Sequence, residues 1–309
     1  MNRQAHSQAL PRGNKKRLSK RNFTPYLFLA AATVFMVATI AYPFVDTLRL
    51  SLYQSNPTRP DLGEQFIGLR NFVNVLTDIT FWTVLLRTVA WTTVSVGAKL
   101  FIGLSAAFLL YRNFRGRRVY QALIFVPWVT PAVVAAVSWK WIYDGQIGML
   151  NYALVQLGVL SEPYSWLGNT TSAFFAVVAV DIWWGIPLMT ILLIAGLRAI
   201  PPETLEAAAV DGASGWTRIR YITLPQLLPV IVTSSVLSLI WTFNSFPIIW
   251  AMTKGGPAGA TETLVIKTYQ EFFGSFNLGV GATYAVIALG ILLVISILYT
   301  RTLSSEEGL

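Results

Sequence analysis

Long apolar runs alternate with shorter polar stretches along the chain, and most of the runs are long enough to cross a bilayer. The first, Tyr26 to Val45, holds about twenty residues, which as a helix matches the roughly 30 Å of a hydrocarbon core. Further spans are expected at about Phe81 to Tyr111, Gln121 to Tyr143, Thr171 to Leu197, Gln226 to Met252 and Val280 to Tyr299. Pro127 and Pro131 predict a bend in the third, because proline lacks a donor and clashes with the preceding turn. Gly185 and Pro187 predict an interruption in the fourth. Between the first two spans, Pro57, Pro60, Gly63 and Gly68 mark turns, and Leu69, Phe72, Val73 and Leu76 have the spacing of an interfacial helix.

The distribution of charge orients these spans. Most of the 23 lysines and arginines fall in the 1–25 tail, the loop carrying Arg112, Arg115, Arg117 and Arg118, the 198–225 loop and the C-terminal end. The loop from Asp144 to Thr170 has none. The positive-inside rule then gives six spans with both termini cytoplasmic, and an all-α membrane protein. A basic stretch before an apolar run is also the pattern of a cleaved signal peptide, but this run is long for one and lacks a small-x-small cleavage site.

Composition agrees: 54% of residues are hydrophobic and only 12% charged. Cysteine is absent and the single histidine, His6, lies in the basic tail, so thiol chemistry, a zinc site or another metal centre, and histidine catalysis are not expected. A net charge of +9 raises nucleic acid as a partner, but the excess sits at the flanks of spans, where orientation requires it.

The 198–225 loop is the longest non-apolar stretch with a helical pattern between two spans. Pro201 and Pro202 suit a helix start, and Glu203 and Glu206 favour the positive end of its dipole, predicting a helix over 203–211. Leu205, Ala208, Ala209 and Gly212 share a small, flat face suited to close approach by another surface. Gly212 and Gly215 are expected to end the helix. Ser214 should cap a second short helix with Trp216, Ile219 and Ile222, and Pro225 should open the next span.

As a pattern, Glu206, Ala207, Ala208, Gly212, Ile222, Leu224 and Pro225 resemble the cytoplasmic loop of the membrane subunits of bacterial ATP-binding-cassette importers. In that family the loop is a coupling helix docked on the ATPase subunit, so the resemblance implies that these seven residues transmit ATP-driven closure. It further implies the type I importer permease fold over residues 81–300, and a location in the bacterial inner membrane. The implied partners are a second permease subunit (a heterodimer), two ATPase subunits and an extracytoplasmic solute-binding protein, with membrane lipid around them. The bland alternative is a connector between two spans. The chain has no G-x-x-x-x-G-K-[ST] phosphate loop, so no cofactor is expected in it; ATP and Mg would be bound by the ATPase subunits.

The stretch from Trp241 to Leu264 is the second informative one. Gly255, Gly256, Pro257, Thr261 and Leu264 resemble the ending of the fifth span in carbohydrate-importing permeases, although Pro247 stands where many relatives carry aspartate. For the glycines, the reading that they only shape a loop stands at least equal. Ser235, Ser238, Thr242 and Ser245 fall on one helix face, as in a packing seam or a polar path. Trp241, Asn244 and Phe246, joined by Asp181, Trp183 and Trp184, would suit a sugar, whose C–H faces stack on rings and whose hydroxyls need an amide. Charges inside spans are functional candidates. A Lys99–Asp181 interaction is predicted, the alternative being that each faces water or the second permease.

These features read as the permease subunit of a carbohydrate importer, a transport subunit and not itself an enzyme. A phosphorylated polyol is the alternative substrate that Lys99 and Arg87 keep open. An ion-coupled secondary transporter would need intramembrane carboxylates beyond Asp181. A membrane enzyme would need a nucleophile, metal ligands or an acid–base pair that the chain does not offer.

Overall fold

The computed structural model describes residues 24–59, 61 and 63–306, so the basic tail and Pro60 lie outside the described residues. The chain divides into two compact units, one ending at Asp46 and the other starting at Thr47.

α1 (Thr24–Met36), in the first unit, passes through a π-helical turn, Val37–Ala41, into α2 (Tyr42–Ser51), whose residues from Thr47 on belong to the second unit. The helix therefore runs past the expected end of the span at Val45. A change of polarity marks where a helix leaves an apolar layer, not where its backbone stops, and one aspartate costs a helix only tenths of a kcal/mol. Leu27, Phe28, Phe35 and Ile40 are exposed, as lipid-facing side chains are. The hydroxyls of Thr33 and Thr39 donate to the carbonyls of Leu29 and Phe35, so both donors are met within the helix.

The second unit is a helical bundle with a two-stranded ribbon at one end. β1 (Tyr53–Gln54) and β2 (Gln65–Phe66) pair antiparallel, with Tyr53 opposite Phe66, and the Arg49–Glu64 ion pair lies beside them at 2.8 Å. α3 (Arg70–Thr77) buries Asn71 and Val75, and the Asn71 amide donates to the carbonyls of Ser51 and Tyr53. Of the expected interfacial face, Leu69, Val73 and Leu76 are exposed.

The centre of the bundle is the pair α4 (Ile79–Tyr111) and α8 (Thr170–Ala199). They run in the same direction, since Lys99 meets Asp181 and, one turn on, Gly103 meets Met189. α11 (Leu224–Phe243) runs the other way: Thr242 lies at the level of Lys99, and Leu227 packs against Gly196. A Cβ at Gly196 would sit 2.7 Å from Leu227 Cδ1 and 3.0 Å from Val230 Cβ, so a side chain there would force the close crossing of α8 and α11 to shift. Ala107, Leu110, Leu193, Leu197 and Leu227 form the core at this end, and Trp91, Ala136, Val177, Ile248 and Ile249 form the core nearer the opposite end. A third core gathers Val75, Phe81, Phe243, Leu264 and Tyr284, the last on α14 (Leu278–Glu306).

The third expected span is a pair of helices, α5 (Arg117–Val129) and α6 (Ala132–Ile142), meeting at 97°. Thr130 is pushed into extended backbone at ψ 125° by the following Pro131, which supplies the break. Pro127 sits inside α5. The fourth span shows no interruption: α8 passes through Gly185 and Pro187 as one helix. The fifth does break where none was expected, at 244–246, before α12 (Pro247–Met252). With the bent pair counted as one, the described helices offer up to six membrane spans.

Besides the β1–β2 ribbon, two loop helices lie where the sequence predicts none. α7 (Met149–Gln156) is held by buried Asn151, which donates to the carbonyls of Asp144 and Tyr164 and accepts from the Trp166 indole. α13 (Leu264–Tyr269), continued by a π turn over Gln270–Gly274, lies in the loop before the last span.

Candidate functional site

Lys99 and Asp181 form an ion pair in the middle of the bundle, Nζ to Oδ2 at 2.6 Å, with side chains only 6% and 4% exposed. Burying either charge alone would cost several kcal/mol; the pairing offsets part of this, and a second ammonium hydrogen also finds an acceptor. One goes to Thr242 Oγ1 at 2.9 Å, on the antiparallel α11. The Thr242 carbonyl accepts from the Trp91 indole at 2.9 Å, so the end of α11 is tied to α4 at two points. The predicted pairing is thus present, with a hydroxyl from a third helix added.

Gly185 explains how the lysine reaches. A Cβ on Gly185 would lie 2.5 Å from Lys99 Cε, so the lysine stem occupies the space that a side chain would fill. The glycine read from sequence as a break is a close-approach site. The sequence reading also passed over a polar stripe on α4, Thr88, Thr92, Ser95 and Lys99, at spacings of four, three and four. All four are buried, and the Thr92 and Ser95 hydroxyls have no hydrogen-bond partner among the described residues.

A cavity of about 50 Å³ opens above this pair. Trp128, Trp184, Trp241, Ser238, Thr242 and Ser245 line it, with Lys99 and Asp181 at its wall. The Trp184 indole donates to the Thr130 carbonyl at 3.0 Å, satisfying a group exposed by the α5–α6 break and fixing the ring at the cavity edge. Of the sequence-predicted path residues, Lys99, Asp181, Trp184, Ser238 and Trp241 come together here. Asn244 and Phe246 do not line this cavity. Asn244 caps the C-terminus of α11, is exposed, and donates its amide to the Ile240 carbonyl at 2.8 Å. Phe246 stacks on Trp250 at 5.4 Å and packs on Tyr269 at 4.8 Å. Ser234, one residue from the predicted Ser235, lines the cavity instead.

At the end of the bundle marked by the Leu193–Leu227 core, α9 (Pro202–Val210) follows α8. Its end is a Schellman motif: Gly212 takes φ +78°, its N–H bonds the Ala209 carbonyl, and the Ala213 N–H bonds that of Ala208. Ser214 then caps α10 (Gly215–Arg218) by accepting from the Thr217 N–H. Gly215 thus begins α10 and does not end α9. Pro225 also does not open the next span, because the helix is continuous from Gly215 through a π turn, Ile219–Thr223, into α11. The wider turn lies just where a proline ring would crowd the preceding carbonyl.

The expected flat face of α9 divides. Leu205 and Ala208 turn inward against the bundle core, while Glu206, Ala207 and Ala209 remain exposed. Val210 and Trp216 are 87% and 69% exposed beside them. A helical position that packs on its own bundle has the same spacing as one that docks elsewhere, so periodicity alone does not separate them. Ile222 and Leu224 are half-buried and Pro225 is exposed.

At the opposite end, the Thr261 hydroxyl donates to the Gly256 carbonyl at 2.9 Å, and Thr253 and Thr261 share a hydrogen bond at 2.6 Å. The Leu264 N–H reaches buried Thr88 Oγ1 at 2.9 Å, so the glycine-proline turn, with its cis Gly256–Pro257 bond, is fastened to α4. Burial disfavours the Lys267 ammonium, but the hydrogen bond and charge of Glu271, with Glu262 and Asp78, outweigh it and raise its pKa above the ordinary lysine value. Asp144 is held below the usual carboxylate range by the N–H groups of Ile147 and Gln146.

This arrangement has close counterparts. Residues 99–303 match the family model described as binding-protein-dependent transport system inner membrane component. The chain is 36% identical to the trehalose/maltose transport system permease protein MalF of Thermococcus litoralis, over 89% of this chain and 92% of that protein. It is 32% identical to the diacetylchitobiose uptake system permease protein DasB of Streptomyces coelicolor, over 96% of this chain and 92% of that protein. Its fold superposes with a TM-score of 0.78, at 18% identity, on a chain of the crystal structure of a bacterial alginate ABC transporter in complex with an alginate pentasaccharide-bound periplasmic protein, covering 91% of this chain and 94% of that one. The chain therefore belongs to the inner membrane components of binding-protein-dependent transport systems and is a multi-pass permease with the type I ATP-binding-cassette importer fold.

Proposed function

We propose that this chain is one of two permease subunits of an ATP-driven importer that takes a carbohydrate from an external binding protein. The observation that carries the carbohydrate reading is the cavity in which three indoles surround the hydroxyls of Ser238, Thr242 and Ser245. Rings accept the C–H faces of a sugar and hydroxyls exchange hydrogen bonds with its own, with no net charge presented. The names of the two relatives, a trehalose/maltose permease and a diacetylchitobiose permease, support the same substrate class.

At about 50 Å³ the cavity has room for a few waters but not a sugar ring. Transport therefore requires α11 to move against α4 and α8, or the second permease to complete the path. In this reading both termini and α9 face the ATPase subunits, which bind ATP and Mg, and Glu206, Ala207 and Gly212 carry the coupling contact. A phosphorylated polyol fits less well: the Lys99 ammonium is already held by Asp181 and Thr242, and Arg87 does not line this cavity. Ion coupling through Asp181 fits less well for the same reason.

Mild-detergent purification of the chain from its native membrane, followed by an ATPase assay, tests the reading. It predicts co-purification of a phosphate-loop ATPase and a second permease. It also predicts hydrolysis stimulated by binding protein loaded with one member of a panel of maltose, trehalose and diacetylchitobiose. Recovery of an active chain without an ATPase would overturn it.

A further inference from the structure

A groove of about 540 Å³ lies where the end of α4 meets the start of α5, outside the cavity described above. One wall is apolar, from Leu109 and Ile124, and Phe114 and Tyr120 pack together 5.8 Å apart across its end. Arg112 and Arg115 also line it. Both are exposed, and neither makes a hydrogen bond or ion pair with the described residues. No acidic residue lines the groove, and the sequence holds none between Arg112 and Tyr143. The loop between the helices is shaped by Gly116 at φ +87° and by a hydrogen bond from Arg117 Nη1 to Asn113 Oδ1 at 2.9 Å, so the two arginines project from a held turn.

We propose that this groove binds an anionic phospholipid, its phosphodiester between Arg112 and Arg115 and an acyl chain along Leu109 and Ile124. α4 is long and apolar enough to cross a membrane with turns to spare, and the cluster of Arg112, Arg115, Arg117 and Arg118 beyond its end marks the headgroup level, with Leu109 one turn towards the hydrocarbon. Guanidinium groups bind phosphate oxygens through paired, charge-assisted hydrogen bonds, and basic pockets beside transmembrane helices suit anionic headgroups. A free phosphate would use the cations and leave the apolar wall without purpose. An acidic segment of a soluble partner would reach Arg112 and Arg115, but it would not descend along Leu109.

Native mass spectrometry of the full detergent-solubilised chain tests this, with dioleoylphosphatidylglycerol and dioleoylphosphatidylcholine as probes. The wild type should retain phosphatidylglycerol at least tenfold more than phosphatidylcholine. Arg112→Gln with Arg115→Gln should bring the two within twofold, Arg112→Lys with Arg115→Lys should keep most of the preference, and Arg118→Gln, which lies off the groove, should leave it unchanged. Equal retention of the two lipids by wild type, an unchanged preference in the double glutamine variant, or displacement by millimolar inorganic phosphate would overturn the proposal. Loss of the retained lipid when an ATPase partner is bound would overturn it as well, in favour of a protein contact. Circular dichroism of each variant, matched to wild type, separates lipid loss from misfolding.

Discussion

Gly185 of α8 leaves the space through which Lys99 of α4 reaches Asp181; a Cβ there would stand 2.5 Å from Lys99 Cε and 3.1 Å from its Nζ. The lysine stem is flexible, but its end is held by Asp181 and Thr242, so it cannot yield without lengthening those bonds. Gly185→Ala is expected to lower stability by about 1–3 kcal/mol, the usual cost of overpacking, and to reduce transport with it. Thermal unfolding of the variant in detergent, compared with Gly185→Ser, measures this.

Removing one member of the Lys99–Asp181 pair should be worse than removing both. Lys99→Met or Asp181→Leu leaves a buried charge alone and is expected to cost about 3–5 kcal/mol, whereas the double apolar variant should fold close to wild type. Exchange of the two, Lys99→Asp with Asp181→Lys, should restore part of the activity lost in either single variant. A double variant no better than the singles would show that the two charges act separately.

The α9 loop makes a different prediction, because the exposed Glu206 side chain makes no hydrogen bond or ion pair with the described residues. Glu206→Lys is expected to abolish ATP-dependent uptake while membrane insertion and thermal stability stay as in wild type. Gly212→Ala should cost about 1–2 kcal/mol locally, since the residue sits at φ +78° with open space around it and only the backbone conformation resists a side chain. Unaltered uptake in Glu206→Lys would demote the loop to a connector.

Acid should loosen the turn at Asp144 before the bundle. Asp144 accepts hydrogen bonds from the N–H groups of Gln146 and Ile147, both at 2.9 Å, which depress its pKa below the unfolded value of 3.8. Its contribution is therefore complete above about pH 4 and is lost as pH falls through the folded value. Lys267 behaves oppositely: its raised pKa keeps its pairing with Glu271 intact below the unfolded value of 10.5 and releases it only above. Hydrogen exchange over 144–156, corrected for intrinsic rate, should be flat through neutral pH and rise below about pH 4, and Asp144→Asn should remove that rise.

The spans were legible because hydrocarbon demands uninterrupted apolar length, and Lys99 and Asp181 were legible as a pair because charges in spans need partners. Gly185 was misread because a glycine that breaks a helix and one that admits a neighbouring side chain look alike in one dimension. The same limit hid the break at 244–246, which follows from the end of α11 being tied to Trp91 and Lys99 while Phe246 joins the aromatic group of Trp250 and Tyr269. α7 is short and depends on Asn151 reaching across the loop to Tyr164 and Trp166, a contact no local pattern announces. The stripe Thr88, Thr92, Ser95 and Lys99 was visible in its spacing and was passed over beside the stronger hydroxyl pattern of α11.

The central claim, that ATP drives a carbohydrate through this subunit, is tested most directly in proteoliposomes holding the purified complex, with sugar-loaded binding protein on one side and ATP confined to the side bearing α9. The account predicts sugar accumulation across the bilayer that stops when ATP is replaced by a non-hydrolysable analogue and is lost in Glu206→Lys. Accumulation that proceeds without ATP and follows an imposed ion gradient would contradict it.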